Sequence, residues 1–260
     1  MPLNKLFIAG PCVLDTEETA FETARMLESI FAGREGVEWV FKASFLKDNR
    51  TSAGSFRGPG ISEGLSMLSS IRRAFGVRVT TDVHEPGQVE AAAASVDILQ
   101  IPAFLCRQTS LLEAAGSAGI PVNVKKGQFM NPVNMAGAVD KLRSRGCPMV
   151  MLTERGSFFG YGDLVVDFRS LSVMSGICDS VLLDVTHSLQ RPGALGGSSG
   201  GDREHAVRLA RAAAAWGLDG LFFEAHPRPS ESPSDRETIL GPALAAELVD
   251  GAMRHWEGRR

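Results

Sequence analysis

Short apolar runs rich in β-branched residues recur along the chain, at Leu6–Ala9, Glu38–Lys42, Val77–Thr81, Ile98–Ile101, Pro121–Lys125, Met149–Thr153, Val181–Val185 and Leu221–Glu224. Each reads as a buried strand. Longer stretches with helical spacing lie between them, at Glu17–Ile30, Gly60–Phe75, Pro86–Ala94, Gln108–Ala118, Val133–Arg145, Val166–Ser175 and Arg203–Trp216, and Gly241–Trp256 closes the series. Alternating strands and helices predict parallel strands with crossover helices. Eight such units in a chain of 260 residues match the count and size of a (β/α)8 barrel of the α/β class. An open doubly wound sheet is the competing architecture; it calls for a GxGxxG loop after the first strand, and none follows. No linker or composition break divides the chain, so one domain over residues 1–260 is expected.

The polar residues punctuate this pattern at one end. After the predicted strands come Cys12; Lys42 and Lys47; Asp82 and His84; Gln100; Lys125 and Lys126; Glu154 and Arg155; His187; and Glu224 with His226. In a barrel of this kind catalytic groups gather at the C-terminal strand ends. The stretch Phe41–Gly60 is the richest, carrying Lys42, Lys47, Asn49, Arg50 and Arg57 with Asp48 as its one carboxylate. Only six lysines occur, and four of them (Lys42, Lys47, Lys125, Lys126) fall in two strand-end motifs, which a merely solvated surface does not explain. Lys42, Lys47, Lys125 and Arg155 would face one mouth and suit a substrate with a carboxylate and a phosphate. Asn49-Arg50-Thr51-Ser52 offers a second anion site, with a guanidinium for forked phosphate contact.

Composition narrows the partners. The net charge of −3 with 22% charged residues argues against nucleic acid, whose binders carry a basic excess. No apolar run approaches the ~18 residues of a membrane span, and the N-terminus lacks the core of a signal peptide. Cys12, Cys106, Cys147 and Cys178 are dispersed without a CxxC pair, which reads as free thiols or single ligands. A cytoplasmic protein is expected.

Cys12, His187, Glu224 and Asp235 follow strands one, seven and eight, which are neighbours in a closed barrel, so they can converge on a borderline divalent ion such as Zn2+ or Fe2+. Spacing alone is not diagnostic: a lone cysteine also reads as a small buried hydrophobe, and a lone histidine as a structural residue. Cys147 and Cys178 read as packing residues, His205 and His255 as surface residues. Phe158–Gly162 reads as a tight turn rather than a lid. The glycine-rich stretch 196–201 fits a phosphate cradle and a loop over the mouth equally well.

Together these motifs resemble the 3-deoxy-D-manno-octulosonate 8-phosphate synthases, in the aldolase-like barrel family that also holds the DAHP synthases. The resemblance spans nearly the whole chain: Ile8–Cys12, Phe41–Gly60, Thr81–Glu85, Gln100–Thr109, Asn123–Phe129, Thr153–Gly156, Asp184–Ser188 and Phe223–Pro227. It implies a transferase that condenses phosphoenolpyruvate with D-arabinose 5-phosphate and water, in the supply of Kdo for lipopolysaccharide. By the same resemblance Lys42, Ser44, Lys47 and Gln100 surround phosphoenolpyruvate, and Lys125 and Arg155 clamp its phosphate. Asn49, Arg50, Thr51 and Ser52 hold the arabinose phosphate, which Arg107 of a neighbouring subunit also reaches in a homotetramer. Cys12, where the metal-independent class has asparagine, implies the metal-dependent class, with Cys12, His187, Glu224 and Asp235 as ligands to Zn2+, Fe2+ or, as a further candidate, Mn2+. Lys47 is expected to act as acid or charge stabiliser, with Asp82 and His187 as its hydrogen-bond partners in catalysis. The chain departs from the pattern at Asp48 (usually alanine), at Thr51 (usually serine) and after Asp235.

Two rivals stand beside this reading. A DAHP synthase would use erythrose 4-phosphate, but its Lys-Pro-Arg-Thr-Ser type loop is replaced here by Asp48-Asn49-Arg50-Thr51-Ser52. A catalytically silent barrel that binds a phosphorylated metabolite would have no reason to keep every anion clamp and all four ligands. Arg50 and Arg107 also disfavour the sialic-acid-type synthases, whose sugar is unphosphorylated.

Overall fold

The computed structural model describes residues 4–48, 54–194 and 200–257, with the backbone alone at Phe159 and Glu257. Eight parallel strands form a closed barrel: β1 (Lys5–Gly10), β2 (Val37–Lys42), β3 (Arg78–Asp82), β4 (Ile98–Ile101), β5 (Val122–Lys125), β6 (Val150–Glu154), β7 (Ser180–Asp184) and β8 (Gly220–Glu224). Each pairs with its neighbours in sequence, and β1 closes on β8 with Leu6 opposite Gly220 and Ile8 opposite Phe222. The helices α1 (Glu17–Phe31), α2 (Ile61–Phe75), α3 (Val89–Ala93), α4 (Thr109–Gly116), α5 (Ala136–Arg143), α6 (Arg169–Ser175), α7 (Ala206–Trp216) and α8 (Pro242–Glu257) follow the strands in turn. All eight predicted strands and all eight predicted helices are present. The sequence reading missed the hairpin Ser157–Gly160 with Asp163–Val165 and the two-residue ladder of Gln190–Arg191 with Gly200–Gly201. Phe158–Gly160 thus belong to the first strand of a hairpin and Tyr161–Gly162 form its turn, with Tyr161 at a positive φ of 54°.

The helices form for local reasons and dock for global ones. Thr16 caps α1 by accepting the Thr19 amide at 3.1 Å, Glu17 and Glu18 complement the positive helix end, and Ala20, Thr23, Ala24, Leu27 and Ile30 make one buried stripe. The chain leaves α2 and α7 through left-handed Gly76 and Gly217. Between strands and helices lies the larger core, built from outward residues such as Phe7, Phe41, Val79, Leu99, Val124, Leu152, Leu183 and Phe223. Inside the barrel a smaller plug of Leu6, Ile8, Val40, Ile98, Met151, Leu182 and Phe222 fills the floor. Both faces of every strand are covered, which is why the strands read as continuous apolar runs.

At the N-terminal face one aspartate device recurs. Asp97, Asp179 and Asp219, each just before or at the end of a turn into a strand, accept the amides of Val79 (2.9 Å), Val150 (2.8 Å) and Val181 (3.0 Å) on the preceding strands. Asp97 and Asp179 also bind Arg72 and Arg143 at the ends of α2 and α5. The chain ends meet where Trp256 of α8 stacks edge-on against Phe7 and donates to Leu218 O at 3.1 Å.

Candidate active site

Strand parity builds the site. Successive side chains alternate between the two faces, so the inward set that begins with the apolar plug ends with polar groups: Lys42 two residues after Val40, Gln100 after Ile98, Asp184 after Leu182, Glu224 after Phe222. These groups stand on an apolar floor in a mouth of about 580 Å³. Gly10 is required at the end of β1, because a Cβ there would lie 2.1 Å from the Lys42 carbonyl oxygen.

The cations are not free, which corrects the expectation of a loop with a single carboxylate neighbour. Lys42 Nζ lies 3.3 Å from Asp82, 3.5 Å from Glu224 and 2.9 Å from the Cys12 carbonyl. Lys47 donates to Asp235, to Ser234 Oγ at 2.7 Å and to Cys12 Sγ at 2.7 Å, not to Asp82 or His187, the expected partners: Asp82 is paired with Lys42 and His187 with Asp184. Lys125 sits 2.5 Å from Asp184 and 3.0 Å above the centre of the Phe222 ring. Burial opposes the charged forms of Lys42 and Lys47, but their carboxylate neighbours outweigh it and hold both pKa values above the ordinary lysine range. For Lys125 burial wins over Asp184 and pulls the value down to about 8. Arg155 donates to Gln190 at 2.8 Å through one nitrogen, while Nη1 is buried with no hydrogen-bond partner among the described residues.

Cys12, His187, Glu224 and Asp235 come together: one ligand atom from each lies within 4.8 Å of the others. His187 Nδ1 faces Asp184 at 2.7 Å, which leaves Nε2 directed at Glu224, 3.5 Å away. A carboxylate behind the ring is how ligating histidines are oriented. Asp235 adopts a left-handed φ of 52° and is fixed by Gln190 at 2.7 Å. Glu224 Oε2 is buried without a hydrogen-bond partner among the described residues. Sulfur, imidazole and two carboxylates suit a borderline divalent ion, and the Lys47 ammonium bridging Cys12 and Asp235 shows that the cluster attracts a cation. Burial first, then Glu224, raises the Cys12 thiol well above its ordinary value; a bound ion would reverse that balance.

Other expectations resolve differently. Lys126 and Glu154 do not face the mouth: Lys126 is fully buried, 3.3 Å from Glu154, and bonds the carbonyls of Gly127 and Gly156. They are a structural pair supporting the loops after β5 and β6. Arg107 is exposed and outside the mouth, with its carbonyl accepting from Lys141 at 3.3 Å. Asn49, Arg50, Thr51, Ser52 and the stretch 196–199 lie outside the described residues. Cys147 and Cys178 are half-buried beside backbone carbonyls, and His205 and His255 are exposed, as expected. Sequence reasoning missed Asp184 and Gln190 as site residues. The spacing of Asp184 three positions before His187 was a usable signal, since one turn brings the two together; Gln190 gave none.

A family model described as the DAHP synthetase I family matches residues 3–250. A 2-dehydro-3-deoxyphosphooctonate aldolase of Desulfatibacillum aliphaticivorans is 54% identical over 95% of this chain and 89% of its own length. Proteins of the same name from Magnetococcus marinus and Xanthomonas oryzae pv. oryzae are each 52% identical, over 95% of this chain and 86% and 89% of theirs. With this barrel and these strand-end residues, the chain belongs to the DAHP synthetase I family.

Proposed function

We propose that the protein condenses phosphoenolpyruvate with D-arabinose 5-phosphate and water to give 3-deoxy-D-manno-octulosonate 8-phosphate and inorganic phosphate, a step of Kdo and lipopolysaccharide biosynthesis. The observation that carries this reading is the one mouth in which Lys42, Lys125 and Arg155 stand beside the Cys12, His187, Glu224 and Asp235 cluster, in a chain 52–54% identical to proteins named for that product.

The charge balance supports a role for a divalent ion. Lys42, Lys47, Lys125 and Arg155 face Asp82, Asp184, Glu224 and Asp235, so the inner mouth is close to neutral. Added positive charge there would favour holding two phosphorylated substrates together. Cys12, His187, Glu224 and Asp235 would hold a divalent ion, Zn2+ or Fe2+ by donor chemistry with Mn2+ as a further candidate, which would supply that charge and a Lewis-acid centre.

The residues then divide the work. Arg155, with its unpartnered Nη1, and Lys125 clamp the phosphate of phosphoenolpyruvate; Lys42, with Ser44 and Gln100 beside it, faces the carboxylate. Carbon 3 of phosphoenolpyruvate attacks the aldehyde carbon of the sugar, whose oxygen takes a proton; Lys47 is placed to give it. Water adds to carbon 2, and the bond from carbon 2 to the phosphate oxygen breaks to release phosphate. Asp82 and His187 orient the groups they touch. Asn49, Arg50, Thr51 and Ser52 bind the sugar phosphate, joined by Arg107 of a neighbouring subunit in a homotetramer, in keeping with its exposure outside its own mouth. In the described residues no helix is long and apolar enough to cross a membrane.

The test is mass-spectrometric identification of the product from phosphoenolpyruvate and arabinose 5-phosphate with divalent metal present. An eight-carbon 3-deoxy sugar acid phosphate is expected. A seven-carbon product formed only from erythrose 4-phosphate would move the protein to the DAHP synthase activity, and binding without turnover to the silent barrel.

A further inference from the structure

Beneath the mouth, four neighbouring strands carry a chain of side-chain hydrogen bonds that all point one way. Thr153 Oγ1 on β6 donates to Asn123 Oδ1 on β5 at 2.7 Å. Asn123 Nδ2 donates to Gln100 Oε1 on β4 at 3.0 Å. Gln100 Nε2 donates to Asp82 Oδ1 on β3 at 2.8 Å. Asp82 also receives the Ser44 hydroxyl and lies 3.3 Å from Lys42. Thr153 and Asn123 are fully buried and do not line the mouth.

The direction follows from the chemistry of the end group. A carboxylate only accepts, so Gln100 must turn its amide nitrogen to Asp82 and its oxygen to β5. That oxygen needs a donor, which only the nitrogen side of Asn123 supplies. The Asn123 oxygen then faces β6 and needs a donor in turn, and the Thr153 hydroxyl provides it. An apolar side chain at 123 or 153 would fill the same space as its neighbours in the plug do, but it would leave an amide oxygen buried without a partner. Two fully buried polar residues thus serve a group they do not touch.

We propose that Asn123 and Thr153 are positioning residues. Through Gln100 they fix which face of its amide the substrates meet, and they hold Asp82 in place against Lys42. This deepens the condensation reading and rests on it, because it concerns the groups that face phosphoenolpyruvate there.

The test compares Thr153→Val, Thr153→Ser and Asn123→Leu with the wild type, using steady-state kinetics on the metal-loaded enzyme and crystal structures of the variants. Removing the terminal donor in Thr153→Val should lower kcat about tenfold, the scale of one buried hydrogen bond. KM for arabinose 5-phosphate should stay within about threefold, while KM for phosphoenolpyruvate should rise more, since the groups being positioned face that substrate. Thr153→Ser, which keeps the hydroxyl, should restore kcat to within about twofold, and Asn123→Leu should lose about a hundredfold. In the Thr153→Val and Asn123→Leu structures the Gln100–Asp82 contact should open beyond hydrogen-bond distance. Unchanged kcat, a fall that serine does not rescue, or a Gln100–Asp82 contact that persists in both variants overturns the proposal. Wild-type turnover in the same assay judges the condensation reading separately; were the wild type inert, the variant structures would still decide the relay.

Discussion

The alkaline limb of the pH profile follows from Lys125. Its ammonium is buried over the Phe222 ring, beside Asp184 and with Lys42 and Asp82 in range, and burial pulls its pKa to about 8. A neutral amine cannot clamp a phosphate, so kcat/KM for phosphoenolpyruvate, which reports the free enzyme, should bend near pH 8 and fall about tenfold per pH unit above it. In the complex a phosphate charge sits against the same nitrogen. At about 4 Å and an effective dielectric of about 20, one such charge is worth roughly 4 kcal/mol, or about three pKa units at roughly 1.4 kcal/mol each. The kcat profile should therefore stay flat to about pH 10. Lys42 and Lys47 do not supply the limb near pH 8, since both are held protonated above the ordinary range. Initial rates of phosphate release over pH 6–10, at saturating and limiting phosphoenolpyruvate, give both profiles. Lys125→Met should lower kcat/KM at least a hundredfold and abolish the limb. Coincident limbs in kcat and kcat/KM, or a limb near pH 8 that persists in Lys125→Met, would refute the assignment. In stability Lys125 has a defined sign of its own: the unfolded chain keeps its lysine proton up to about pH 10.4, so the Lys125 contribution rises between about pH 8 and 10.4, against the falling contribution of the cysteine thiols whose pKa values burial raises; the difference between wild type and Lys125→Met isolates it.

Further outcomes follow from other contacts. Cys12→Asn should lower the divalent-ion content of the purified protein relative to wild type, read by elemental analysis, and leave any residual activity insensitive to EDTA; chelation sensitivity unchanged from the wild type would remove Cys12 from the ligand set. Asp179→Ala strips the buried Val150 amide of its acceptor at 2.8 Å and should cost about 1–3 kcal/mol with kcat intact, measured by urea unfolding and turnover. Phe222→Ala empties the barrel floor, where the side chain is fully buried, and should cost about 3–5 kcal/mol together with activity, because Lys125 loses the ring beneath it. Asp48→Ala should change KM for the sugar phosphate less than about threefold: Asp48 is paired with Arg57 at the surface, where such pairs are worth ~1 kcal/mol or less.

The barrel was legible because its strands are covered on both faces, leaving eight short, mostly apolar runs such as Leu221–Phe223, and because glycine closes helices at Gly76 and Gly217. The strand-end chemistry was legible for the same reason: a polar residue after an apolar run stands out. What the sequence did not disclose is pairing across strands. Lys42 meets Glu224 from a distance of 182 residues, and Lys47 meets Asp235 from 188, so a loop that reads as basic folds into a nearly neutral mouth. Lys126 and Lys125 are adjacent, yet strand parity sends one to the mouth and the other to a buried pair with Glu154. The hairpin after β6 escaped notice because its strands are three and four residues long, flank a turn of only two, and alternate weakly.

The central claim is that this mouth joins phosphoenolpyruvate to a five-carbon sugar phosphate with the help of a divalent ion. The most direct measurement is kcat/KM for arabinose 5-phosphate against erythrose 4-phosphate, by phosphate release, before and after EDTA and again after metal is restored. Preference for the five-carbon sugar, lost on chelation and regained with metal, is the predicted result. Preference for erythrose 4-phosphate, or turnover indifferent to EDTA, would contradict the account.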